Sequence, residues 1–111
     1  EGGEFVTRPF VFQGGNLTIN FESSAAAGIR VELQAADGTA IPGSALEDCP
    51  EIFGDSIRHT VRWKRGADVR ALEGHPVRLR FSLRDADLYS FQFVPFQPDP
   101  VRPRRPVAKG E

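Results

Sequence analysis

Alternation of apolar and polar residues is the feature that most limits how this chain can fold. It is clearest in the segments 17–21, 29–35 and 77–83, where every second residue is apolar. Successive side chains of a β-strand point to opposite faces, so each segment is predicted to form a strand with one buried and one solvated face. No stretch of ten or more residues has helical periodicity. The chain is therefore expected to be all-β.

Weaker alternation extends this pattern to both ends of the chain. The side chains predicted to point inward are Ile57, His59, Val61 and Trp63, followed by Tyr89, Phe91 and Phe93. The opening segment, 4–12, contains Pro9, which favours an edge strand or a bulge. Six to eight short strands separated by Gly, Asn and Asp turns are typical of a two-sheet antiparallel β-sandwich of the jelly-roll type, with an open barrel as the alternative.

The length of 111 residues suits one domain. We assign 5–96 to the β-sandwich, 1–4 to a linker and the Pro/Arg-rich segment 97–111 to an extended tail. Basic and acidic residues nearly cancel, giving a net charge of -1, which argues against nucleic acid or an anionic membrane as the partner. No apolar run approaches the roughly 18 residues of a membrane span. The longest irregular connection, 42–55, is expected to be functional or a crossover between sheets.

Residues suited to catalysis are scarce. Cys49 is the one cysteine, and its neighbours Asp48 and Glu51 should raise its thiol pKa and reduce its reactivity. His59 is expected to be a core histidine and His75 an exposed turn residue, so a zinc site is not predicted. The chain itself is accordingly not predicted to be an enzyme.

Four acidic residues are more suggestive, namely Asp48, Asp55, Asp85 and Asp87. Carboxylates from different loops can ligate calcium, which takes six to eight oxygen atoms. Aspartate is also a common turn residue, because its side chain bonds the nearby backbone. If the four converge, they need either a cation or arginine partners. Arginine pairing is the preferred interpretation, with no cofactor assigned and calcium as the alternative.

Aromatic and basic residues complete the set of candidates. Phe53, in the long loop, is the best candidate for an exposed ring that could stack on a sugar, whereas Trp63 is expected in the core. Arg78, Arg80 and Arg84 should form an outward row paired with glutamates, with Arg58 and Arg62 alongside. The predicted ligand-binding residues are Phe53, Asp48, Asp55, Asp85 and Asp87.

A family resemblance adds to this interpretation. The strings GNLTINF at 15–21 and GIRVELQAADGTAIPG at 28–43, with the run at 46–93, resemble a C-terminal β-sandwich module of large bacterial proteins described as glycoside hydrolase family thirty-two-like, with a β-propeller and largely unknown function. The resemblance implies an extracellular or cell-surface accessory module of a carbohydrate-active enzyme, which binds glycan or packs on the neighbouring catalytic domain. The alternative is a purely structural or oligomerising sandwich without a small-molecule ligand.

Overall fold

Six β-strands form the part of the chain that the computed structural model describes, residues 2–98. They are β1 (Gly2–Val6), β2 (Asn16–Ser23), β3 (Ile29–Ala35), β4 (Asp55–Thr60), β5 (Val77–Arg84) and β6 (Ala86–Val94). Two short 3-10 helices, Leu46–Asp48 and Arg70–Leu72, lie in the connections. Apart from Gln97 and Pro98, the predicted tail lies outside the described residues.

The strands form two three-stranded antiparallel sheets. The first sheet has the order β1-β5-β3 and the second sheet the order β4-β2-β6. Consecutive strands alternate between the sheets, so every connection crosses from one sheet to the other. The predicted all-β, two-sheet sandwich is confirmed; residues 2–98 contain six strands, where a full jelly roll has eight.

The core lies between the sheets and receives apolar side chains from both. Its most deeply buried large residues are Leu17, Ile19, Ile29, Val31, Leu33, Val61, Val69, Val77, Leu79 and Phe81. Burial of one such side chain contributes roughly 1.5 to 3 kcal/mol. Trp63 is 4% exposed, and its Nε1 donates a hydrogen bond to the Val31 carbonyl at 2.7 Å, which confirms its predicted place in the core.

The first strand begins and ends at other residues than predicted. It begins at Gly2, so residues 2–4, expected to be linker, pair with β5. It ends at Val6, because Pro9 lacks the N–H needed to continue the ladder. Phe10 then forms an isolated bridge with Val77. β1 lies at the edge of its sheet, as the proline predicted.

The connection between β3 and β4, which we name the crossover segment (36–54), runs along the free edge of β3. It is held there by bridges from Ala40 to Gln34 and from Ile52 to Ile29. At Gly28 the Ile52 carbonyl comes so close that a Cβ atom would clash with it. The crossover predicted for this loop is confirmed, and it covers an edge that could otherwise pair with another chain.

Two β-bulges lie on either side of β2 at the same level. Ile19 pairs with His59 and Phe21 with Ser56, so β4 has one extra residue here. On the other side of β2, Asn20 pairs with Ser90 and Phe21 with Leu88, so Tyr89 is the extra residue of β6. An extra residue in a strand reverses the facing of the side chains beyond it.

These bulges overturn two predictions. Ile57 and Tyr89 were both expected to point into the core, on the alternation of their strands. They are instead 83% and 58% exposed, because each lies at a bulge where the alternation is interrupted. Val61, beyond the bulge on β4, is fully buried as predicted.

Candidate functional site

The outer face of the second sheet carries the exposed groups suited to binding. We name it the open face and define it by ten residues: Thr18, Asn20, Glu22, Asp55, Ile57, Arg58, Thr60, Asp87, Tyr89 and Gln92. The outward alternation of β2 places its polar residues along the centre. The flanking residues come from β4 and β6, and the two bulges bring Ile57 and Tyr89 to the same end.

Tyr89 is the one tyrosine of the chain, and it is exposed to solvent. Its hydroxyl donates a hydrogen bond to Oε1 of Glu22 at 2.8 Å. That hydrogen bond to a carboxylate is the main cause of a raised Tyr89 pKa, since it favours the protonated phenol. Ile57 and Asn20 line the same shallow hollow. The ring is therefore fixed at its polar tip.

Three carboxylates form a row across the Tyr89 end of the open face. Glu22 lies opposite Asp55 of β4 and opposite Asp87 of β6, and all three are exposed. Like charges in opposed positions repel, so this end has a negative potential. Among residues 2–98 no group of three or more His, Cys, Asp or Glu side chains has the arrangement of a metal site.

The opposite end of the open face is a groove of about 560 Å³. Polar groups of Thr18, Arg58, Thr60 and Gln92 line it, and the prolines that follow β6 close one side. The Thr18 hydroxyl donates to the Gln92 carbonyl at 3.3 Å. The Arg58 side chain makes no ion pair or hydrogen bond with another residue of the described chain.

The outer face of the first sheet is organised differently, around Glu32. This carboxylate accepts hydrogen bonds from Gln34 Nε2 at 2.8 Å, from the Leu46 N–H at 3.0 Å and from Arg80 at 3.4 Å. Burial opposes its ionisation, yet these hydrogen bonds and the Arg80 charge together hold the Glu32 pKa below its ordinary value. Arg80 also pairs with Glu4 at 3.0 Å. The charges at the centre of this face, those of Glu4, Glu32 and Arg80, are therefore paired with one another.

The predicted arginine row is confirmed in part. Arg80 and Arg84 pair with glutamates, the latter with Glu51 at 3.8 Å. Arg78 instead donates to backbone carbonyls of Ala36 and Thr7. Arg58 was expected alongside this row, which is wrong, because its strand belongs to the second sheet.

The five residues predicted to bind a ligand do not form one site. Asp55 and Asp87 flank Glu22 on the open face. Asp48 accepts the Ala45 N–H at 3.1 Å and so stabilises the first 3-10 helix. Asp85 has φ 50° at the corner between β5 and β6, and accepts a hydrogen bond from Ser24. Phe53 is exposed on the crossover segment.

The preferred interpretation of the acids, pairing with arginine, does not hold for most of them. Of the ion pairs between residues 2–98, none includes Asp48, Asp55 or Asp87, so the expected arginine pairing is not found for these three. Asp37, by contrast, is a turn residue that accepts the Thr39 N–H at 2.9 Å.

The reactive side chains are placed for packing. Cys49 is fully buried, and burial raises its thiol pKa; the direction matches the prediction, but the cause is burial rather than the acidic neighbours. His59 is half-buried, with its ring edge against Phe21 at 5.7 Å. Burial, with a smaller effect of the Arg62 charge, lowers its pKa.

Comparison of the chain with protein-family models, curated proteins and solved structures finds no match. The resemblance described from the sequence is therefore still a prediction. Among residues 2–98 no helix is long and apolar enough to cross a membrane. The fold and the site define a β-sandwich with one outer face whose central charges are paired and one open polar face.

Proposed function

We propose that the protein is a non-catalytic accessory module of a carbohydrate-active enzyme and that its open face binds glycan. The observation that carries the proposal is Tyr89, whose ring is 58% exposed among hydrogen-bonding groups. The apolar face of an exposed aromatic ring is available for packing, and the C–H face of a pyranose is a suitable partner for it.

The groups around the ring suit the rest of a sugar. Hydroxyls both donate and accept hydrogen bonds, so they are matched by amides and carboxylates. Asn20 and Glu22 lie in the same hollow as the ring, and Gln92 lies in the groove beyond. A sheet also positions such groups more rigidly than a loop does.

The geometry of the carboxylates favours binding over hydrolysis. A glycosidase places two carboxyl groups on opposite sides of the scissile bond. Glu22, Asp55 and Asp87 instead lie side by side on neighbouring strands of one sheet. This supports a module that holds glycan for a catalytic domain elsewhere in a longer protein, at the surface of the cell or outside it.

Removal of the ring tests the proposal. Tyr89→Ala should weaken binding to the best ligand of a glycan array by about tenfold or more, since ring stacking and the fixed hydroxyl are both lost. Tyr89→Phe should retain most of the affinity. Phe53→Ala is the matched control, because Phe53 is a similarly exposed ring on the crossover segment.

Two outcomes of this experiment would contradict the proposal. If the wild type binds no glycan, the proposed function is wrong. If Phe53→Ala abolishes binding while Tyr89→Ala does not, the site lies on the crossover segment. Circular dichroism of each variant should show that the sheet is retained.

A second candidate, packing against a neighbouring domain or copy, is favoured by a different observation. Phe5, Val6 and Val11 are between 43% and 57% exposed on and just after the edge strand β1. Exposed apolar side chains on and beside an edge strand can mark an interface. Light scattering of the wild type and of Phe5→Ser tests this role: a dimer that the substitution dissociates would support it.

A further inference from the structure

We propose that the glycan bound on the open face is acidic, with a sugar carboxylate held by Arg58 in the groove and a neutral unit on Tyr89. This inference rests on the proposed function, and deepens it by naming the ligand class. It derives from an asymmetry of charge along β2, since one end of the open face carries Arg58 and the other carries three carboxylates.

The groove has the chemistry of a carboxylate site. A guanidinium binds a carboxylate through two parallel hydrogen bonds, a geometry that adds specificity as well as energy. Arg58 has no partner in the described chain, whereas Arg80 and Arg84 of the first sheet are paired with glutamates. Thr60 lines the same groove and offers a hydroxyl to the ring hydroxyls of the same sugar unit.

The walls of the groove favour a sugar over a small inorganic anion. Pro95, Pro98 and Val94 give it apolar sides, which a pyranose covers and a solvated phosphate or sulfate ion does not. With a volume of about 560 Å³, the groove is also much larger than a tetrahedral anion needs.

The other end of the face excludes a second anionic unit at Tyr89. Two like charges within a few ångströms repel, and they repel more strongly where water is displaced. Glu22, bonded to the Tyr89 hydroxyl, would meet any carboxylate stacked on this ring. The five residues of β2 from Thr18 to Glu22 span about 13 Å, a length suited to a short oligosaccharide.

The test compares three trisaccharides of one backbone: a uronate at a single end, its methyl ester and a sulfated form. The methyl ester keeps the ring shape and removes the charge. The wild type should bind the uronate about tenfold more tightly than the ester, with a preference that decreases as salt is added. The sulfated form should also bind more tightly than the ester, because a guanidinium pairs with tetrahedral oxyanions as well; if it binds more tightly than the uronate, the preferred acidic group is a sulfate and the carboxylate assignment is overturned.

Substitution of the arginine should remove the preference and leave the stacking. In Arg58→Gln the uronate and the ester should bind equally, at the wild-type affinity for the ester. Arg58→Lys should keep part of the preference, since the charge remains without the paired hydrogen bonds. Arg8→Gln, at an exposed arginine after β1, is the matched control and should leave the preference unchanged.

The outcomes separate the two proposals. Equal affinity of the wild type for uronate and ester, or an unchanged preference in Arg58→Gln, overturns the acidic-glycan inference. If Tyr89→Ala still loses binding of the ester in that case, the proposed glycan-binding function is retained and only the acidic-glycan inference is abandoned. If none of these or the array glycans binds, both proposals are overturned.

Discussion

The two outer faces of the sandwich are built from the same alternating pattern but use their polar groups differently. On the first sheet, Glu32 and Arg80 pair with each other and with neighbouring groups, and the crossover segment covers part of that face. On the second sheet, Arg58 and the acidic row lie at opposite ends, and no ion pair between described residues joins them.

This difference shows which polar residues serve the fold. A buried charge is retained only where hydrogen bonds and an opposite charge compensate for its desolvation. Glu32 meets that condition, so its removal should affect stability. Glu22 is exposed, and its hydrogen bond fixes a ring that the core does not need. The following predictions test this division, in order of decreasing effect.

The largest effect should distinguish the two aromatic residues with polar tips. Trp63→Ala should lower the free energy of unfolding by roughly 3 to 5 kcal/mol, because it leaves a cavity and an unpaired Val31 carbonyl. Tyr89→Ala should leave the denaturation midpoint close to that of the wild type. Urea unfolding followed by circular dichroism measures both. A red-shifted Trp63 emission in the native wild type would show that the indole is not buried.

The next comparison concerns two glutamates, one on each face. Glu32→Ala should lower the free energy of unfolding by about 2 to 3 kcal/mol, because the Leu46 N–H and the Gln34 amide lose their hydrogen-bond acceptor. Glu22→Ala should change stability by less than about 0.5 kcal/mol. Equal losses in the two variants would contradict the division between the faces. Chemical denaturation at neutral pH measures the difference.

Acid should remove the Glu32 contribution. Its folded pKa lies below the ordinary 4.5, so the stabilisation is present above that value and is lost as pH falls through the folded pKa. The difference in unfolding free energy between wild type and Glu32→Gln should therefore be constant from about pH 7 to 5, and decrease below it. Other carboxylates titrate in both proteins and cancel in the difference. A difference that does not change with pH would contradict the assignment.

The smallest effect is a titration on the open face. The pKa of Tyr89 is raised mainly by its hydrogen bond to Glu22, so Glu22→Gln should lower it towards the ordinary 10.0. Since the chain has one tyrosine, ultraviolet absorbance of the tyrosinate reports this group alone. An identical titration in the variant would show that the hydrogen bond does not persist in solution.

The sequence predicted the layers of this fold better than its outer surfaces. The buried faces of β2, β3 and β5 follow directly from their alternation, since a period of two leaves one choice of inner face. Ile57 and Tyr89 could not be placed in this way. A bulge adds one residue without any change in composition, so alternation continues in the sequence while the side chains change face.

The candidate site was only partly predictable for the same reason. Asp55 and Asp87 were selected as acids, but their common neighbour Glu22 was not, because strand register is absent from a linear pattern. Arg58 was assigned to the arginines of β5, since nothing local indicates which sheet a strand joins. Tyr89 was not selected, because the alternation of its strand assigned its ring to the core.

The single thiol provides a way to follow motion in the crossover segment. Cys49 is fully buried, and its Sγ accepts the Val31 N–H at 3.4 Å, so a reagent can reach it only when this segment leaves β3. The rate at which Cys49 is alkylated therefore measures the rate at which the segment opens. Labelling faster than global unfolding would reveal an independent opening of the segment, and equal rates would show that the edge of β3 opens only when the whole molecule does.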